Sequence, residues 1–243
     1  MVPLGAVNSV LVIHSTIRYS SDLIDDMLND EIELAHAKSF TDVVFGVLIA
    51  LPLTEILPRL VADLVTKRSL SSGESLLLLS ASLVFSTFYW LEVRRFIDKQ
   101  NRFHNALGIG GLSFGRLMAS LIMAALVAAI LKFANIRTLR AFLEANLLFW
   151  LIDLFGNIAL KRKYKKLNIE AIKTEYEEEH KWYLDNFHKW YKGPFYSGIS
   201  VVFFSIALGI AYIFRKGVNY QFVIASLIFA FTLIRHLGLR RKL

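Results

Sequence analysis

Two acids bracket an apolar run near the start of the chain: Asp42 and Glu55 are separated by twelve uncharged residues, Val43 to Thr54. A helix needs about 20 apolar residues to cross a hydrocarbon core of ~30 Å, so at least one of these carboxylates is expected at membrane depth or beside a wet path. Acids placed there pair with cations, hydrogen-bond across helices or line routes for ions. Ser39 stands three residues before Asp42, the spacing of a capping box, whose side chains need do no more than satisfy free N–H groups at a helix start. Both readings of Asp42 stay open on the sequence.

Other residues with chemical potential give weaker patterns. Arg116 lies within an apolar stretch, where a lone cation is costly, and is expected to pair with Asp153, Glu144 or Asp42. A structural ion pair and a gating or proton-relay role both suit it. Gly111 and Gly115 make a small-x-x-x-small step that lets helices approach closely. Glu177 and His180 form an E-x-x-H step with His188 two turns on, but metal sites built this way need further carboxylates from other helices, so a solvated face is expected. With no Cys, disulfides, iron–sulfur clusters and thiol nucleophiles are excluded. There is no H-E-x-x-H, phosphate loop, G-x-S-x-G or dinucleotide fingerprint, so neither an enzyme nor a cofactor is expected.

The elements that must position these residues follow from composition. Of 243 residues 55% are hydrophobic and 20% charged, which suits a polytopic membrane protein better than a soluble domain. Gly193 to Phe214 and Gly217 to Ile234 are long enough to span and carry no charge. Four further segments are apolar but interrupted: Phe40 to Leu57, Leu76 to Leu91, Asn105 to Leu131 and Ala141 to Leu160. The expected fold is therefore an all-α membrane protein with six transmembrane helices. Its organisation reads as a cytoplasmic arm over 1–38, spans one to four over 39–160, a charged amphipathic helix over 161–192, spans five and six over 193–237, and a basic tail over 238–243. No Arg or Lys precedes Arg18, so Val2 to Ile13 lacks the basic flank of a signal peptide.

Six spans put nineteen of the 28 Lys and Arg on the side of the two termini, which the positive-inside rule makes cytoplasmic. Lys161, Arg162, Lys163, Lys165 and Lys166 sit immediately beyond span four, where basic residues stop translocation and meet anionic lipid. The net charge of +8 is thus explained by the bilayer, and no nucleic-acid partner is expected.

Within span one, Val43, Val47, Ala50, Leu51 and Thr54 recur at the three- and four-residue spacing that stacks side chains along one stripe. Copies of this helix around an axis would form apolar rings at Val47 and Leu51 and a polar ring at Thr54. Apolar constrictions gate ion paths by dewetting. The same stripe also suits ordinary contact with lipid or a neighbouring helix.

Phe40-Thr41-Asp42, with the residues up to Val47, resembles the first-span signature R-x-x-x-F-S-D of the endolysosomal potassium channel family (the transmembrane protein 175 family), in its single-repeat prokaryotic form. Thr87 to Leu91 with Arg94-Arg95-Phe96 is similar to the end of that family's second span, and Ala141 to Leu148 to the start of its fourth. The resemblance implies a homotetramer in the plasma membrane, its first spans surrounding a central pore without a carbonyl filter, and monovalent cations as cargo with potassium preferred over sodium. It implies that Val47 forms the narrowest ring, followed by Leu51 and Thr54, with Ala50 at a position usually polar. Phe40, Thr41 and Asp42 would knit span one to its neighbours, with Trp90 closing span two. His36 stands where the motif has Arg, and would make that packing network sensitive to pH.

Three other classes remain beside a channel. A secondary transporter would show two related halves with interrupted spans, and no second half mirrors Pro52 and Pro58. A non-conducting assembly subunit would need no hydrated axis. A lipid-modifying enzyme would depend on an acid or His near the membrane surface.

Overall fold

The computed structural model describes residues 35–58, 61, 62, 65, 70–97, 101–107, 114–167, 181, 184, 192–214 and 218–240. All regular structure among them is helical. In chain order the helices are α1 (Ala35–Pro58), α2 (Leu70–Arg95), α3 (Asn101–Ala106), α4 (Phe114–Lys132), α5 (Leu139–Tyr164), α6 (Gly193–Ile213) and α7 (Val218–Arg240), with a 3-10 turn at Ile136–Thr138. Four stretches are long and apolar enough to cross a membrane: Ala35–Pro58, Gly73–Arg95, Ile136–Tyr164 and Gly193–Ile213. Met118–Lys132 and Tyr220–His236 are shorter apolar helices.

Several boundaries differ from the sequence expectation. α1 starts by Ala35, so Ser39 lies inside the helix and does not cap it. Asn105 belongs to the short α3 rather than to the helix that follows, which begins at Phe114. α7 continues past Ile234 through Arg235 and His236. Most of the acidic arm, the Gly108 to Ser113 stretch, and Glu177, His180 and His188 lie outside the described residues.

The chain divides into two compact units, Met1–Asp42 and Val43–Leu243, and the packed core belongs to the second. Lipid is as apolar as Leu, so helices in a membrane are held by close packing and internal polar contacts rather than by escape from water. The buried residues of α6 show this: Ser197, Ser200, Phe204, Ala207 and Ala211 recur at alternating spacings of three and four, and four of the five are small. α6 packs along α5, whose Asn146 and Trp150 line a small cavity together with Phe204. Hydroxyls in this core donate back to carbonyls one turn earlier, Ser82 to Leu78 at 2.8 Å, Ser86 to Ser82 at 2.6 Å and Thr232 to Ile228 at 2.8 Å. That local bond is what lets a polar residue sit in an apolar helix.

Contacts fix the directions of the helices. Phe45 of α1 meets Tyr89 of α2 with ring centroids 5.7 Å apart, and Ile56 joins the core with Ile49 and Leu53 beside it. The Ile136 N–H donates to Ser75 Oγ at 3.1 Å, which sets the turn between α4 and α5 against the start of α2. α5 and α6 run antiparallel, since Tyr212 reaches Glu144 at one end and Ser197 reaches Asp153 towards the other. α6 and α7 are likewise antiparallel through the stacked Phe203 and Phe231, 4.1 Å apart, and Phe214 near Tyr220. His236 stacks on Phe88 at 5.0 Å, so α2 and α7 run parallel.

One end of this bundle consequently gathers the last turns of α2, α5 and α7, the first turn of α6, and α3, whose His104 is hydrogen-bonded to Tyr164 at 3.1 Å. Arg94, Arg95, Lys161, Arg162, Lys163 and Lys192 all lie there. The other end gathers the 3-10 turn, the start of α2 and the end of α6.

Candidate functional site

α1 has two unlike faces. Phe45, Pro52 and Ile56 are buried, with Ile49 and Leu53 packed on the core beside them. The opposite face, with Val43, Gly46, Val47, Ala50, Leu51 and Thr54, is exposed; Val47 is 50% and Leu51 60% accessible. At 100° per residue these positions span about 140° of the helix circumference, centred between Val43 and Thr54. Thr54 Oγ1 donates to the Leu51 carbonyl at 2.8 Å, so its oxygen lone pairs are what this face presents. A Cβ added at Gly46 would meet nothing within 4 Å, so packing within the chain does not require a glycine there. All four residues expected to line a pore, Val47, Ala50, Leu51 and Thr54, thus lie on the face that the chain itself leaves uncovered.

The residues expected to form a packing network are distributed otherwise. His36 and Phe40 are exposed, Asp42 is half-buried, and Thr41 is buried with its hydroxyl donating to the Ala37 carbonyl at 2.7 Å. These four belong to the first compact unit, and Trp90 and Arg116 to the second. Trp90 is half-buried with the Arg94 guanidinium 5.4 Å from its ring centre. The Arg116 side chain lies outside the described residues.

Two acids named as partners for Arg116 have other contacts. Glu144 accepts from the Tyr212 hydroxyl at 2.8 Å, and Arg140 completes that clasp, donating to the Ala211 carbonyl at 3.3 Å with its guanidinium 4.8 Å from the Tyr212 ring centre. Asp153 accepts from Ser197 Oγ at 2.5 Å and from Asn157 Nδ2 at 3.1 Å, and Asn157 also donates to Ser197 at 3.1 Å.

The cation whose charge acts on Asp153 is Arg235, directly after Ile234, where the uncharged segment from Gly217 ends. Arg235 donates to the Tyr196 carbonyl at 2.8 Å and to Ser200 Oγ at 2.5 Å, and its guanidinium lies 3.9 Å from the Trp150 ring centre. It feels the charges of Asp153 and Glu92. α6 therefore stands between an acid of α5 and a base of α7, with Ser197 serving one and Ser200 the other. The available signal was Asp153 itself: an acid inside a span demands a partner, and Arg235 follows an apolar helix without any breaker between them.

Among the described residues no cluster of three or more His, Asp or Glu could hold a metal ion. No protein-family model matches this sequence, and neither a curated protein nor a solved structure matches it.

Proposed function

We propose that this chain is a six-span membrane protein, both termini on the basic side, that assembles through α1 into a cation channel of potassium preference. The observation that carries the reading is the uncovered face of α1. One side of the helix is committed to the chain's own core, while the other aligns apolar residues of moderate size with a hydroxyl one turn beyond Leu51. Four such faces around an axis would make dewetting constrictions at Val47 and Leu51 and a polar ring at Thr54. The alternating directions of α2, α4, α5, α6 and α7 and the gathering of basic side chains at one end support six crossings. The resemblance of the Phe40-Thr41-Asp42 segment to the endolysosomal potassium channel family supports the tetramer and the cargo.

The test is cation flux through liposomes containing the purified protein under a potassium gradient, repeated with sodium. Val47→Asn is expected to raise basal flux by wetting the constriction. Flux unchanged in a folded, assembled Val47→Asn protein would remove Val47 from the gate. No flux from either protein would leave the non-conducting assembly subunit as the reading.

A further inference from the structure

The interior of the bundle holds a cavity of about 10 Å³, independent of the α1 face. Its polar lining is Ser82 of α2, Asn146 and Trp150 of α5, and Thr232, Arg235 and His236 of α7. Trp150 is buried, and its indole Nε1–H has no hydrogen-bond partner among the described residues. An unmade hydrogen bond from a buried donor is costly, and such donors are ordinarily met by protein or by ordered water.

The rest of the lining has the complementary deficit. The Ser82 hydroxyl proton is spent on the Leu78 carbonyl and the Thr232 proton on that of Ile228, leaving each oxygen with lone pairs to accept. The Asn146 Nδ2 group donates to the Phe142 carbonyl at 2.9 Å, which leaves Asn146 Oδ1 as an acceptor. Apart from Arg235 and His236, the cavity wall thus offers one buried donor and three acceptors. A single water can accept one hydrogen bond and donate two, and the volume suits one water molecule with two to four polar partners.

We propose that one buried water molecule occupies this cavity, accepting from Trp150 Nε1–H and donating to two of Ser82 Oγ, Asn146 Oδ1 and Thr232 Oγ1. It joins α2, α5 and α7 at a point where their side chains do not hydrogen-bond directly. Arg235 and His236 form its charged and aromatic border.

The indole resonances of the four tryptophans, in 15N-labelled full-length protein in lipid nanodiscs, test the proposal, with Trp150→Phe identifying that of Trp150. A cross-peak between the Trp150 indole proton and a long-lived water is expected. In Asn146→Leu, which fills the cavity and removes an acceptor, that cross-peak should vanish and the indole proton should move upfield. Trp150 without a water cross-peak in the unmodified protein overturns the proposal, whether or not the Asn146 variant folds. A chloride-dependent shift of the same resonance without a water cross-peak also overturns it, showing that the donors hold an anion.

Discussion

Arg235 ties three helices together through one side chain: two hydrogen bonds to α6, a face-on contact with the α5 indole, and the field of Asp153. A planar, permanently charged group can do all of this at once, and an ammonium cannot. Arg235→Gln is expected to lower stability by about 1.5–3 kcal/mol, the range for hydrogen bonds to charged groups, read as a fall in the thermal midpoint in detergent. Arg235→Lys should recover only part of that loss. A double-mutant cycle with Asp153→Asn should be non-additive, because each change alters the charge the other group experiences. A second residue-scale prediction concerns Gly193, where an added Cβ would come 2.7 Å from Asn157 Oδ1. Gly193→Ala should displace Asn157 from Asp153 and Ser197 at a cost of about 1–2 kcal/mol, and Asn157→Ala in the same chain should relieve the steric part of it. Asp153 was recognisable in the sequence as an acid inside a span, but Arg235 was not. Hydropathy reads a charge at the end of an apolar run as the end of the membrane, and only the packing of α7 against α2 and α6 keeps that charge inside the bundle.

At the scale of elements, α1 and α6 solve different problems. α6 buries small residues at alternating three- and four-residue spacings, packs along α5, and meets α7 through Phe203 and Ser200. α1 buries one face and leaves the other exposed. Gly46→Leu is expected to keep helix content and to leave the monomer's thermal midpoint no lower, since the position is open and glycine is the poorer helix former by about 1 kcal/mol. If copies of α1 meet as proposed, the same change should reduce the oligomer fraction in crosslinking and the flux in liposomes. Asp42→Asn is expected to weaken assembly more than it alters ion preference, because the acid is half-buried and stands off the Val47–Thr54 stripe; normal oligomers with altered preference would contradict this. The stripe could be read from the sequence because helical periodicity is a local property. The true start of α1 could not, because His36, Lys38 and Ser39 look like a polar approach to a helix, and α3 was merged with its successor because six residues carry too little periodicity to separate.

For the whole molecule, the packing directions of the helices make a labelling experiment decisive. The chain has no Cys, so single cysteines can be introduced without a background. Lys166→Cys and Lys192→Cys should react with an impermeant maleimide from one side of the membrane and Arg137→Cys from the other, because the end of α5 and the start of α6 lie opposite the 3-10 turn. Reaction of all three from one side would exclude the six-span arrangement. Hydropathy was enough to find the long apolar helices, whereas the pairing of α2 with α7 depends on side-chain contacts between segments about 150 residues apart, beyond any local pattern.

The hydroxyls that donate within their own helices bear on how such a chain enters the bilayer. Ser82 and Ser86 of α2 and Thr232 of α7 are satisfied as soon as their own helices form. α5 emerges differently, since Ser197, which donates to Asp153, is supplied one helix later and Arg235 two helices later. The order of synthesis is therefore the order in which this carboxylate is neutralised, and α5 should be retained beside the insertion machinery until α7 arrives.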